Sequence, residues 1–351
     1  MPRLIHAFAA LAVLGLAAGC SSRAATTSGA DAGKAAYAAG SSPFWTDPES
    51  PAARQAQLWQ RQGRGQDAEL IRRIADQPVA LWPAGGTDPA PMVRAAASAA
   101  GREGKTAVFA AYNIPHRDCG GHSAGGAADA NAYREWIGRF ADALGEAEAL
   151  VVLEPDALAH VVDGCTPREY HAEREQLLGE AVARLKQQPG TKVYLDAGNA
   201  AWIREPDKLV EPLKRAGIER ADGFALNVSN FETTEVTTEY GVRLAGALGG
   251  KHFIIDTSRN GNGPLPGVWC NPPGRALGTP PTTGTGEPIV DAFLWIKRPG
   301  ESDGTCGGGP AAGRWWPEYA LELARKRHGL TRAPLPAATR RGAAPRSPPW
   351  T

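Results

Sequence analysis

The chain predicts an α/β fold built on a parallel sheet, and three observations carry that expectation. Short apolar, strand-like runs recur through the middle of the sequence. Stretches with helical spacing of apolar residues fill most of the gaps between them. Carboxylate and amide residues gather just after the runs, at the edge where parallel sheets and barrels collect their chemistry.

Seven runs read as strands: PVALW at 78–82, TAVFAAYNI at 106–114, ALVVLEP at 149–155, KVYLDAG at 192–198, GFALNV at 223–228, HFIIDTS at 252–258 and AFLWIK at 292–297. The third is rich in valine and suits a strand covered on both faces, yet it runs directly into Glu154, Pro155 and Asp156. Within 131–144, Tyr133, Ile137, Phe140 and Leu144 share one helical face. Residues 169–188, 207–216, 233–248 and 317–328 also read as helices. Strands alternating with helices fit a parallel sheet, either wound open or closed into a barrel.

Composition narrows the function. A chain of 351 residues can bury one large core. A formal net charge of +1 with 21% charged residues gives no footprint for nucleic acid. No interior apolar run is long enough to span a bilayer. Neither G-x-G-x-x-G nor G-x-x-x-x-G-K-[ST] follows the first strand, so a nucleotide site has no support. The 42 glycines and 29 prolines imply long, shaped loops.

The first 20 residues read as a secretion signal, with Arg3, an apolar stretch at 7–18 and LGLAAGC ending at Cys20. Small residues before a cysteine fit a bacterial lipoprotein site, where Cys20 would carry lipid; ordinary secretion with cleavage nearby is the alternative. Residues 21–40 read as a flexible tether and 331–351 as a disordered tail rich in proline and arginine, leaving 41–330 as the folded domain. Without Cys20, Cys119, Cys165, Cys270 and Cys306 form an even set. Outside the cytosol these form two disulfides, with three possible pairings. A zinc site from His116, Asp118, Cys119 and His122 of HRDCGGH competes, but the other cysteines are distant and no CxxC occurs.

The strand ends hold the candidate chemistry. Pro155 keeps Glu154 out of helical geometry and helps to fix the turn that presents Asp156. Asp196 and Asp256, also at strand ends, suit capping as well as catalysis. Carboxylates repeated along one rim indicate a metal site or acid/base hydrolysis. Tryptophans favour the second. Trp82, Trp202, Trp269 and Trp295 follow or end strands. Trp82 and Trp295 also suit the core, whereas Trp202 and Trp269 sit in loops, where an indole can serve as a platform for a sugar ring. Carboxylates with loop tryptophans in an exported chain point to polysaccharide hydrolysis.

From Phe44 to His328 the chain resembles glycoside hydrolase family 6, which includes secreted cellulases. The resemblance is carried, in order, by YNIPHRDCGGHSAGG, VLEPD, YLDAG, NVSNF, DTSRNGNGP followed by WCNPPGRALG, and FLWIKRPGESDG. It implies a distorted (β/α) barrel of about seven parallel strands with a cleft at their C-terminal ends. It also implies that Asp156 is the general acid, that neighbouring Asp118 raises the acid's proton affinity, and that Asp303 is the base, directly or through a water chain. Tyr112 would crowd the central sugar and favour its distortion. Trp82, Asp196, Trp202, Asn230, Trp269, Lys297 and Glu301 would contact or surround the glucan. The implied disulfides are Cys119–Cys165 and Cys270–Cys306. No metal or cofactor is implied, and the reaction inverts anomeric configuration.

Two positions depart from the family's pattern: Asn199 stands where many relatives carry histidine, and Ala124 where some carry serine. The stretches 260–285 and beyond Asp303 are short, which favours an open cleft and an endoglucanase acting as a monomer on β-1,4-glucan. A cellobiohydrolase of the same family and a non-catalytic glucan-binding surface lipoprotein are the alternatives. A metal-dependent hydrolase using Asp118, His116 and His122 is a third.

Overall fold

The computed structural model describes residues 42–325, so the expected signal, tether and tail, with Cys20, lie outside the described residues. Three helices, α1 (Pro51–Arg61), α2 (Gly65–Ala75) and α3 (Ala90–Arg102), precede the sheet. Next come β1 (Ala107–Ala111), α4 (Ala130–Leu144), β2 (Ala149–Leu153), α5 (Ala159–Val162), α6 (His171–Leu185) and β3 (Thr191–Asp196). The chain continues through α7 (Val210–Arg215), β4 (Gly223–Leu226), α8 (Thr234–Ala247), β5 (His252–Asp256), β6 (Val290–Leu294) and α9 (Pro317–Arg325). Local chemistry sets several of these boundaries. Ser50, Asp129 and Thr233 each cap a helix by accepting from the backbone N–H three residues on. Gly145 then ends α4 at φ 58°, a conformation that favours glycine.

The six strands form one parallel sheet in chain order, β1-β2-β3-β4-β5-β6. The first expected strand is different. Residues near 80–84 bridge to β1 without forming a ladder: Leu81 N–H donates to Val108 at 3.0 Å, and Ala110 N–H donates to Leu81 at 2.8 Å. Ala80 N–H also donates to Trp295, just past β6, at 3.0 Å. This stretch therefore bonds to both edges of the sheet. Pro78 and Pro83 flank it, and neither can donate to a ladder, which limits it to isolated bridges.

Both faces of the sheet are dry, as a parallel sheet requires. On one face Phe109, Val151, Val193, Leu195, Phe224 and Ile255 pack with Phe140 of α4 and Leu177 and Val182 of α6. The other face presents Val108, Ala110, Leu150, Val152, Ala225, Ile254 and Leu294 to one another, closing an inner core. Alternate residues thus serve opposite layers, as strand pleating dictates. Phe109 and Phe140 are fully buried and meet edge-on at 5.7 Å. Truncating either to alanine costs about 3–5 kcal/mol on the usual scale. A third cluster joins α1, α2 and α9 around Trp295, which is a core residue with its indole N–H satisfied by the Thr279 carbonyl at 2.9 Å.

Parallel pairing in register brings the strand ends to one edge. Ala111 lies opposite Leu153, Leu153 opposite Leu195, Asp196 opposite Ala225 and Asp256 opposite Leu294. Every loop carrying a candidate acid leaves from this edge.

Candidate active site

The two carboxyls of the β2 end are sent in different directions. Glu154, at φ 48°, turns inward and accepts the backbone N–H groups of Asn113 and Ile114 at 2.9 Å. It clamps the loop leaving β1. Burial pushes its carboxyl up to about 7 despite those hydrogen bonds. Asp156, at φ 71°, faces the other acids of the edge. Its backbone N–H donates to Asp196 Oδ2 at 2.9 Å. Burial first, then the charges of Asp196 and Asp118, hold its carboxyl well above the usual aspartate range, and Lys297 offsets this only in part.

Asp118 is brought alongside by the loop after β1. A carboxylate oxygen of Asp118, one of Asp156 and a ring nitrogen of His160 lie within 4.8 Å of one another. Asp118 is held in place by Ser123 N–H, which donates to its Oδ2 at 2.5 Å. Tyr112, at the head of the same loop, is nearly buried between Trp82, edge-on at 5.5 Å, and the Arg117 guanidinium, 4.3 Å from its ring centre. Burial, then the Asp156 and Asp118 charges, keep the Tyr112 phenol protonated.

Asp303 has the opposite electrostatics. Arg259, itself fully buried, reaches both carboxylate oxygens at 3.0 and 2.9 Å, and Lys297 Nζ lies 3.3 Å away. The backbone N–H of Asn271 donates to Asp303 at 3.0 Å. Burial raises the Asp303 carboxyl, but Arg259 and Lys297 outweigh it and hold it below the ordinary value. Its loop meets the Asp118 loop: a Cβ on Gly304 would lie 2.5 Å from the His122 ring. The disulfides Cys119–Cys165 and Cys270–Cys306 tie these loops to their neighbours, with Cα separations of 6.0 and 6.2 Å.

Around these acids the aromatic candidates take distinct positions. Trp82 is partly buried, with its indole N–H on the Ile296 carbonyl at 2.8 Å. Trp202 packs against the main core and donates to Asp163 at 2.8 Å, with its ring edge-on to His160 at 4.8 Å. Trp269 is the most exposed, at 60%, beside His122. Asn230 is partly exposed, and its side chain accepts from Phe231 N–H. Lys297 and Glu301 are both engaged in ion pairs, Lys297 with Asp303 and Glu301 with Arg298 at 3.0 Å. Asn199 is buried and caps its own turn through the N–H groups of Ala201 and Trp202.

Asp256, which suited capping or catalysis, is a cap: it accepts from Ser229, Ser258, Ile296 and Lys297 N–H groups. The zinc grouping is not assembled. His116 stacks on Tyr170 at 4.0 Å, His122 lies by the Cys270–Cys306 bond, and Cys119 is in a disulfide. Asp118, Asp156 and His160 are the one close donor set free of disulfide sulfur among the described residues. A cation there would compete for the proton that Asp156 retains.

Sequence reading missed Arg259, His160, Asp163 and Arg174. Arg259 lay within a quoted motif, where a lone cation carries no signal of burial. His160 and Asp163 follow Asp156 by four and seven residues on what reads as an apolar helical turn.

Comparison with known proteins agrees with this architecture. The family described as glycosyl hydrolases family 6 matches residues 39–327. Endoglucanase A of Cellulomonas fimi is 44% identical over 285 residues, which cover 80% of this chain and 61% of that protein. The chain thus spans less than two thirds of that relative. Endoglucanase 1 of Streptomyces halstedii is 43% identical over 291 residues, covering 80% of this chain and 88% of the relative. The structure of the endoglucanase Cel6 from Mycobacterium tuberculosis, solved with methyl-cellobiosyl-4-deoxy-4-thio-β-D-cellobioside, superposes with a TM-score of 0.76 at 43% identity. That superposition covers 81% of this chain and 97% of the other.

Proposed function

The chain belongs to glycosyl hydrolases family 6, and from that premise we propose that it hydrolyses internal β-1,4-glucosidic bonds of cellulose or a related β-glucan with inversion. One observation carries the reading. Two carboxyls of a single strand-end rim are driven apart in proton affinity, Asp156 upward and Asp303 downward. That is the division of labour an acid and a base require at one pH.

In this mechanism Asp156 gives its proton to the glycosidic oxygen as the bond from that oxygen to the anomeric carbon breaks. A water attacks the opposite face of the same carbon, and its proton passes to Asp303, directly or along further water. Asp118 keeps the proton on Asp156 through its own negative charge. Tyr112 crowds the sugar at the point of cleavage, and Trp82, Trp202 and Trp269 offer ring faces to flanking sugars. Asn230, Lys297 and Glu301 border the same path. An inverting arrangement calls for acid and base carboxyls roughly 6.5–9.5 Å apart, leaving room for the water.

Endo action is supported by the short stretches after Asn260 and Asp303 and by the endoglucanase relatives. Export is supported by two disulfides, which persist outside the reducing cytosol, and by the pattern before Cys20. A lipid on Cys20 would keep the enzyme, as a monomer, on the outer face of the cell membrane.

Proton NMR of the first product from a cello-oligosaccharide tests the reaction. An α-anomer formed first supports inversion, a β-anomer refutes it, and no product refutes hydrolysis. Carboxymethylcellulose separates endo from exo action: viscosity falls far ahead of reducing-sugar release only if internal bonds are cut.

A further inference from the structure

The loops that carry Asp118 and Asp156 both bend through left-handed backbone. His116, Asp118 and Cys119 have φ of 55°, 56° and 47°, and Glu154 and Asp156 have 48° and 71°. Such conformations cost of order 1–3 kcal/mol each and persist only where the surroundings impose them. A disulfide and the Glu154 clamp supply part of that restraint.

One further side chain reaches both loops. Arg174, in the first turn of α6, is only 3% exposed. One terminal nitrogen donates to the carbonyls of Pro115 at 3.0 Å and His116 at 2.9 Å. The other donates to Thr166 Oγ1 at 2.7 Å and to the Ala157 carbonyl at 3.3 Å. Pro115 and His116 lie just ahead of Asp118, Ala157 directly follows Asp156, and Thr166 follows Cys165. Arg174 makes no ion pair among the described residues, so its acceptors are neutral dipoles. Burial is costly to this cation, and the charge of Glu154 offsets that cost only in part. What a guanidinium adds over an apolar side chain is a rigid planar fork whose two ends can hold two separate loops.

We infer that Arg174 is a positioning residue that sets the separation of the Asp118 and Asp156 carboxyls. The inference rests on reading that pair as the acid and its neighbour. Once the fork is removed, the loops relax apart. The charge of Asp118 then acts more weakly on Asp156, while the other groups facing Asp156 stay in place: Tyr112 just after β1, Asp196 at the end of β3, Lys297 after β6, and His160 and Asp163 on and after α5. Asp156 gives up its proton at lower pH, and the alkaline limb of activity moves down with it.

The test measures kcat and KM on cellohexaose across pH for Arg174→Lys and Arg174→Met. Expected are a kcat loss of roughly 10–100-fold with KM changed less than about threefold, since misplacing a catalytic group hurts chemistry more than binding. The alkaline limb should shift to lower pH, and guanidinium ion added to Arg174→Ala should restore part of kcat where sodium chloride does not. An unchanged kcat, or a loss that follows melting temperature with the limb fixed, overturns the inference. Thr166→Val keeps the arginine and removes one acceptor, so it carries the test if the arginine variants fail to fold; an unmoved limb there counts against the inference. Should the wild-type protein prove inactive on β-1,4-glucan, the functional reading fails separately. A carbon-13 NMR titration of Asp156 in wild type and Arg174→Lys would still decide the positioning role: a lower midpoint in the variant supports it, and equal midpoints refute it.

Discussion

Asp196 Oδ2 accepts the backbone N–H of Asp156 at 2.9 Å, so the residue that ends β3 fixes the turn that presents the Asp156 carboxyl beyond β2. The same oxygen accepts from Gly198 N–H at 3.2 Å, whereas the buried Oδ1 has no hydrogen-bond partner among the described residues. Burial pushes the Asp196 carboxyl up to about 7, and the nearby Asp156 turn and Asp256 charge modify that shift. Asp196 therefore both positions Asp156 and, when ionised, disfavours the loss of its proton.

Asp156→Asn removes the transferable proton and preserves the backbone hydrogen bond. The expected outcome is a fall in kcat on cello-oligosaccharides of roughly 10²–10⁴-fold, the usual scale for a general acid. Melting temperature should change little. Steady-state kinetics and thermal unfolding check both statements.

Arg259→Met leaves Asp303 without its principal counter-ion in a buried place. Breaking such a pair costs about 3–5 kcal/mol, readable by urea unfolding. The sign of the pH effect follows from the lowered proton affinity of Asp303 in the fold. Stability from that carboxylate is present above its unfolded value and is lost as pH falls through the folded one. In the variant that depression is weakened, so the acid limb of activity should move to higher pH.

Glu154 works in the other direction. Its carboxyl is raised from 4.5 to about 7, so its contribution to stability is complete below the unfolded value and is lost as pH rises through about 7. The loss is on the order of 3 kcal/mol at most. Glu154→Gln should flatten the decline of melting temperature across this interval, and calorimetry at several pH values would reveal it.

Trp269 is 60% exposed and contributes little to the core. Trp269→Ala should leave unfolding unchanged and raise KM on long glucans by roughly three- to tenfold, the scale of about 1 kcal/mol for an aromatic platform. On short soluble substrates kcat should hold.

The sheet was legible because valine-rich runs and the residues following them recur in order. Residues 131–144, with one apolar face, and 169–188, 207–216 and 233–248 match α4, α6, α7 and α8 to within a few residues, while the stretch expected at 317–328 begins with α9 at Pro317 and ends outside the described residues. Helices α1 and α2 precede every strand-like run, and α3, alanine-rich only over 95–100, carries few large apolar residues to mark a face. The run at 78–82 read as a strand from its apolar content, but flanking prolines reduce it to bridges. Asp118, Asp156 and Asp303 were readable from motifs. Their partners were less so: Arg174 sits in EREQ, which reads as a solvated helical face, and only the tertiary approach of two loops buries it. Asp256 could not be divided between cap and catalyst until four backbone N–H groups were seen to converge on it.

The most direct measurement is a carbon-13 titration of the aspartate side-chain carboxyls in the wild-type protein and in Asp118→Asn. The account predicts that Asp156 titrates far above an ordinary aspartate, that Asp303 titrates below one, and that neutralising Asp118 lowers the Asp156 midpoint. An Asp156 that titrates near the ordinary value, or that ignores the loss of Asp118, would contradict it.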